Sequence, residues 1–100
     1  MNRLEKGAKR EPFNEMYEAI LTLKTLDECV RFFDDLCSVT ELRAIEQRYQ
    51  VARMLSKGHV YSAILEQTGA SSATVSRVNR SLQYGADGYE VVFKRLDEKN

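Results

Sequence analysis

The chain has 100 residues, of which 43% are hydrophobic and 30% charged, and its 15 basic and 15 acidic side chains balance. This length predicts one ordinary domain, and the hydrophobic fraction excludes a disordered chain. No apolar run approaches the roughly 20 residues of a membrane span. The charged opening segment also lacks the apolar core of a secretory signal, so we expect a cytoplasmic protein with no membrane partner.

The neutral total conceals an uneven distribution of charge. Residues 11–39 contain two basic and seven acidic side chains, whereas residues 40–82 contain six basic and three acidic ones. A basic surface attracts anionic partners such as nucleic acids. We therefore expect a binding surface in the basic centre of the chain.

Apolar residues recur at three- and four-residue spacing along most of the chain, which predicts an all-α protein of six helices. We expect residues 1–12 to form a flexible N-terminal arm and residues 13–100 to form a single domain. Pro12 suits the first turn of a helix, because its fixed φ angle is helical. The apolar pattern continues this first helix to about Leu23.

Two capping signals predict the starts of the second and third helices. Thr25 is followed three residues later by Glu28, and Ser38 by Glu41, which is the spacing of a capping box. The third helix, residues 40–57, presents one apolar face: Leu42, Ile45, Tyr49, Ala52 and Leu55. A glycine then supplies its C-terminal stop.

Three shorter helices complete the prediction: residues 60–67, residues 72–82 with Ser71 as N-cap, and residues 89–96. A turn at Thr68-Gly69-Ala70 joins the first two of these, which is the arrangement of a helix-turn-helix. Gly69 can adopt the positive φ angle that such a short turn requires. The sequence therefore predicts a DNA-binding motif.

Two faces are predicted for the second helix of this motif. Val75 and Val78 lie three residues apart and give the helix a buried side. The other side presents polar and cationic groups that suit phosphates and base edges, so we expect DNA contacts from Ser71, Ser72, Thr74, Ser76, Arg77 and Arg80.

A helical hairpin with its serines on a solvated face is the competing interpretation. It would make the chain a protein-interaction module without DNA binding. A solvated face normally mixes charges of both signs, yet no acidic residue lies between Ser71 and Tyr84. We therefore favour double-stranded DNA as the partner.

Catalytic and metal sites are not indicated. His59 is the single histidine and lacks a neighbouring nucleophile, and Cys29 and Cys37 have no motif around them. A zinc site built from Cys and His is therefore not expected. We expect both cysteines to be reduced core residues and the protein not to be an enzyme.

The sequence resembles the Trp repressor superfamily, in its branch of Trp-repressor-related proteins. The resemblance covers residues 13–96 and rests on the segments SVTELRAIEQR, SKGH and TGASSATVSRVNRSL. It implies six helices in an intertwined homodimer, with two helix-turn-helix units placed to enter successive major grooves. It also implies a transcriptional regulator that acts as a repressor.

The resemblance implies an effector site as well. The founding member of the family holds L-tryptophan between two arginines with a hydroxyl near its carboxylate, and these positions match Arg48, Arg77 and Ser38. The family has glycine directly after the second arginine, where this chain has Val78. Because the valine carbons occupy space that the indole needs, we expect no tryptophan and no other cofactor. A repressor that depends on tryptophan or another small molecule remains the alternative.

Overall fold

The computed structural model describes residues 10–99, which form six α-helices and no strand, as predicted. The helices are α1 (Asn14–Ile20), α2 (Leu26–Leu36), α3 (Val39–Ser56), α4 (Tyr61–Thr68), α5 (Ser72–Tyr84) and α6 (Gly88–Lys99). Residues 1–9 of the predicted arm lie outside the described residues. None of the described helices is both long enough and apolar enough to cross a membrane.

The predicted caps determine where α2 and α3 begin. The Ser38 hydroxyl accepts a hydrogen bond from the Glu41 N–H at 3.1 Å, and the Ser38 N–H donates to Glu41 Oε1 at 2.8 Å. The second of these bonds, from the Ser38 N–H, lowers the pKa of Glu41 because it favours the charged carboxylate. Thr25 caps α2 in the same way, but Glu28 accepts from the N–H of Lys24 rather than from that of Thr25.

The first helix is shorter than predicted. It ends at Ile20 rather than at Leu23, and Pro12 precedes the N-cap residue Phe13 instead of lying in the first turn. The Thr22 hydroxyl donates to the carbonyl of Ala19 at 2.7 Å. The backbone N–H groups of Thr22 and Leu23 each donate to the carbonyl three residues earlier, which forms a tight turn at the end of the helix. This local bond competes with continuation of the helix. The last two helices extend two or three residues beyond their predicted ends.

The hydrophobic core lies between the second half of α3 and the three helices that follow it. Ile64 of α4 and Val75 of α5 are fully buried, and Val78 is 2% exposed. The remaining buried members of this cluster are Val51, Ala52, Met54, Ala70 and Phe93. The predicted burial of Val75 and Val78 is therefore confirmed.

The first two-thirds of α3 departs from the predicted apolar face. Ala52 is buried, but Ile45 is 43% and Tyr49 41% exposed, since the buried residues of this helix all lie after Gln50. Towards its N-terminus α3 is flanked by α2. Cys29 of α2 and its C-cap residue Cys37 are free thiols of intermediate exposure rather than core residues. The first three helices therefore leave a large apolar surface uncovered within one chain.

An aromatic and ionic contact fixes α6 against α3. The Arg53 guanidinium lies 4.8 Å from the centre of the Phe93 ring and donates to Asp97 Oδ1 at 2.6 Å. The ring of Phe93 also contacts Tyr49 edge-on and stacks on Tyr89. The hydrogen bond from Arg53 lowers the pKa of Asp97.

The Arg53–Asp97 pair predicts a pH-dependent contribution to stability. Because the folded pKa of Asp97 is depressed, its contribution is present above the ordinary value of about 3.9 and is lost as the pH falls through the folded pKa. Asp97→Asn is expected to lower the midpoint of thermal unfolding at pH 7 and to lower it less at pH 2.5. Asp27→Asn, which breaks the exposed pair between Asp27 and Arg31, is the matched control and should have a smaller effect at pH 7. An equal loss from Asp97→Asn at both pH values would contradict this account.

Candidate nucleic-acid interface

The turn between α4 and α5 depends on one glycine. Gly69 has φ +70° and ends α4 in the left-handed region, which residues with a Cβ adopt at a cost. Ala70 follows at 6% exposure and packs into the core. The Ser71 hydroxyl then accepts from the Thr74 N–H at 3.1 Å and starts α5. We call α4, this turn and α5 the α4–α5 unit.

Thr68 and Gln47 stabilise this turn. The sequence placed Thr68 in the turn without a role for its side chain, and it did not single out Gln47. The Thr68 hydroxyl donates to the carbonyl of Ile64 at 2.7 Å and accepts from the N–H of Ala70 at 3.1 Å. Gln47 Nε2 of α3 donates to the carbonyl of Thr68 at 3.1 Å. Gln47 lies four and seven residues before Val51 and Met54, so all three share one face of α3. This spacing is the signal in the sequence that could have placed Gln47 next to the core.

The predicted DNA-contacting residues divide into two groups. Ser72, Ser76, Arg77 and Arg80 are exposed on α5, opposite the buried valines. Ser71 and Thr74 instead belong to the N-cap, where the Ser71 hydroxyl donates to the Thr74 hydroxyl at 3.0 Å. The four exposed residues therefore have no part in capping the helix, whereas Ser71 and Thr74 stabilise its start.

The electrostatic character of this surface follows from its composition. Residues 67–86 contain no aspartate or glutamate, and Arg77 and Arg80 lie one turn apart on α5. The N-terminal end of α5 adds the partial positive charge of a helix dipole. An exposed helix face with hydroxyls, two guanidinium groups and no carboxylate suits a polyanion.

Two of the residues that match an effector site lie far apart along one helix. Ser38 lies at the start of α3 and is engaged in its capping box. Arg48 follows ten residues later on the same helix, and at 1.5 Å per residue the two lie about 15 Å apart along the axis. The backbones of the two residues are therefore about three helical turns apart within one chain. Val78 is buried in the core beside the exposed Arg77.

The sequence model of the family described as Trp repressor protein matches residues 11–97. This family comprises DNA-binding regulators of transcription and not enzymes. The chain belongs to the Trp repressor family.

Individual relatives agree with this assignment. The uncharacterized protein YerC of Bacillus subtilis (strain 168) is 51% identical over 85 residues, which cover 85% of this chain and 82% of YerC. The crystal structure of a candidate Trp repressor from Staphylococcus aureus has a TM-score of 0.81 at 49% identity and covers 84% of both chains. A TrpR-like protein from Eubacterium eligens ATCC 27750 also has a TM-score of 0.81, at 52% identity, over 84% of this chain and 87% of its own.

The conformation of Gly69 predicts how substitutions in the turn change stability. A Cβ at this position meets no atom within 4 Å, so only the positive φ angle opposes a side chain. Gly69→Ala is expected to lower the free energy of unfolding by about 1 kcal/mol. Gly69→Asn should cost less than half as much, because asparagine tolerates the left-handed region. Urea denaturation of the three proteins measures both values, and equal losses would show that φ is not the cause.

Proposed function

We propose that this protein is a sequence-specific DNA-binding transcription regulator that acts as a repressor and binds as a homodimer through a helix-turn-helix formed by α4 and α5. The observation that carries the proposal is the division of α5 into two faces. Val75 and Val78 fill the core, and the opposite face exposes Ser72, Ser76, Arg77 and Arg80. The repressor role rests on the family.

In this proposal α5 enters the major groove. The short side chains of Ser72 and Ser76 let the helix backbone approach the base edges closely, and either hydroxyl can donate or accept a hydrogen bond. Arg77 and Arg80 reach further and can bind guanine O6 and N7 or a phosphate. The N–H groups at the start of α5 set the register on the phosphate backbone.

The uncovered surface of the first three helices supports the homodimer. Phe13, Leu21 and Leu26 are 69%, 82% and 82% exposed. An open groove of about 260 Å³ lies between α2 and α3, and one of about 500 Å³ lies where Tyr49 of α3 meets the end of α5 and the start of α6. Exposed apolar surface on this scale marks an interface, and a second copy offers a self-complementary cover.

We further propose that the protein binds DNA without tryptophan. Val78 is 2% exposed, so its side chain already fills the position where the family has glycine. An indole placed there would overpack the core, at a cost of about 1–3 kcal/mol or more.

The arginines of α5 provide the test of DNA binding. Arg77→Ala and Arg80→Ala should each weaken binding to a duplex selected from a random library by about 1–3 kcal/mol if the side chain reads a guanine. If it binds only a phosphate, affinity should fall evenly across sequences and the salt slope by about one unit. Arg95→Ala, an exposed arginine of α6, is the control for the loss of one charge. Unchanged fluorescence anisotropy titrations for both α5 variants would remove this helix from the DNA interface.

The homodimer predicts the mass and the unfolding behaviour in solution. Sedimentation equilibrium at micromolar concentration should give about 23 kDa, twice the mass of 11.5 kDa, and the unfolding midpoint should rise with protein concentration. Leu26→Asp should weaken the dimer because it introduces a charge into the interface. Val60→Asp changes an exposed valine outside the first three helices and should not. A wild-type monomer would contradict the proposal.

The effector claim is tested by calorimetry with tryptophan. The wild-type protein should give no binding heat at millimolar tryptophan and should bind DNA equally with and without it. Val78→Gly opens the space at some cost in stability, since it removes buried carbon and adds chain freedom to a helix. Micromolar binding of tryptophan by the wild-type protein would show that the claim is wrong.

A further inference from the structure

A directional hydrogen bond connects α3 to the end of α4. Gln47 Nε2 donates to the carbonyl of Thr68 at 3.1 Å, and this contact is partly buried. Thr68 is the last residue of α4, so its carbonyl is one of those that a helix end leaves without a partner inside the helix. Gln47, which belongs to α3, therefore supplies a hydrogen bond to a carbonyl that α4 itself leaves without a partner.

The contact is made at the turn of the α4–α5 unit. Thr68 also bonds the turn through its hydroxyl, which accepts from the N–H of Ala70 and donates to the carbonyl of Ile64. A displacement of this residue relative to α3 would carry the whole turn with it. Gln47 thus acts on the residue that joins the two helices.

Apolar packing alone fixes the orientation of the α4–α5 unit relative to α3 less tightly than a hydrogen bond does. The buried side chains of α3 in the core that it shares with the α4–α5 unit are Val51, Ala52 and Met54. Dispersion and hydrophobic contacts are non-directional and permit small rotations, whereas a hydrogen bond weakens steeply with distance and angle. Gln47 lies four and seven residues before Val51 and Met54, so it adds a directional contact to the same face of α3.

Orientation matters if two units read one DNA molecule. In a dimeric helix-turn-helix protein the two recognition helices must lie about 34–36 Å apart to enter successive major grooves. We propose that Gln47 is a positioning residue that fixes the α4–α5 unit against α3 and thereby sets the separation of DNA half-sites that the dimer accepts. This inference rests on the proposed function.

The test measures affinity for a series of duplexes that carry two identical half-sites at spacings that differ by one base pair. Wild-type protein should show one preferred spacing. Gln47→Met keeps the volume of the side chain and removes its donor, so it should reduce the ratio of affinities between the preferred and the adjacent spacings at least threefold. Affinity for a duplex with a single half-site should stay within twofold of the wild type, because the exposed face of α5 is unchanged.

Two further variants separate positioning from other effects. Gln50→Met makes the same change at an exposed position of α3 and should leave the spacing ratio unchanged. Gln47→Lys restores a donor and should recover part of the preference, and its added charge cancels in the ratio because it acts on every duplex.

The outcomes distinguish the inference from the proposed function. A sharp spacing preference retained by Gln47→Met, or an equal loss on the single half-site, would overturn the inference alone. Wild-type protein that binds none of the duplexes would overturn the proposed function and this inference with it.

Discussion

The packing of Val75 and Val78 into the core is the constraint on which the rest of the structure depends. Both side chains are buried with Ile64 of α4 and with the second half of α3. Because the two valines lie one turn apart on α5, their burial determines the rotation of that helix about its axis. Rotation in turn determines which side chains face outward, and these include Ser76 and Arg77. The burial of the two valines therefore determines which residues of α5 form the proposed DNA surface.

The third helix connects the two parts of the proposed function. Its C-terminal part, with Val51, Ala52 and Met54, packs against the α4–α5 unit, and the part before Val51 leaves Ile45 and Tyr49 partly exposed. One helix thus extends from the proposed dimer surface to the buried side of the α4–α5 unit. Gln47 lies near the middle of this helix, and its bond to Thr68 joins the helix to the turn. In the proposed dimer this arrangement would couple assembly to the spacing of DNA half-sites.

Local features were predictable from the sequence, and features of tertiary packing were not. Ser38 and Ser71 were identified as N-caps because a cap depends on residues only three positions apart. The exposure of Ile45 and Tyr49 was not predicted, since the α3 pattern does not tell which part of the helix α4 and α5 cover. The buried and exposed faces of α5 followed from valine spacing, but the role of Gln47 requires knowledge of a contact 21 residues away in sequence.

The central claim is that the exposed face of α5 binds duplex DNA. The most direct measurement is the change in backbone amide chemical shifts of the isotope-labelled protein on addition of a selected duplex, at low and at high salt. The account predicts changes concentrated in residues 71–81, which diminish as salt increases because phosphate contacts release counterions. Changes confined to α1 and α2, with residues 71–81 unaffected, would contradict it.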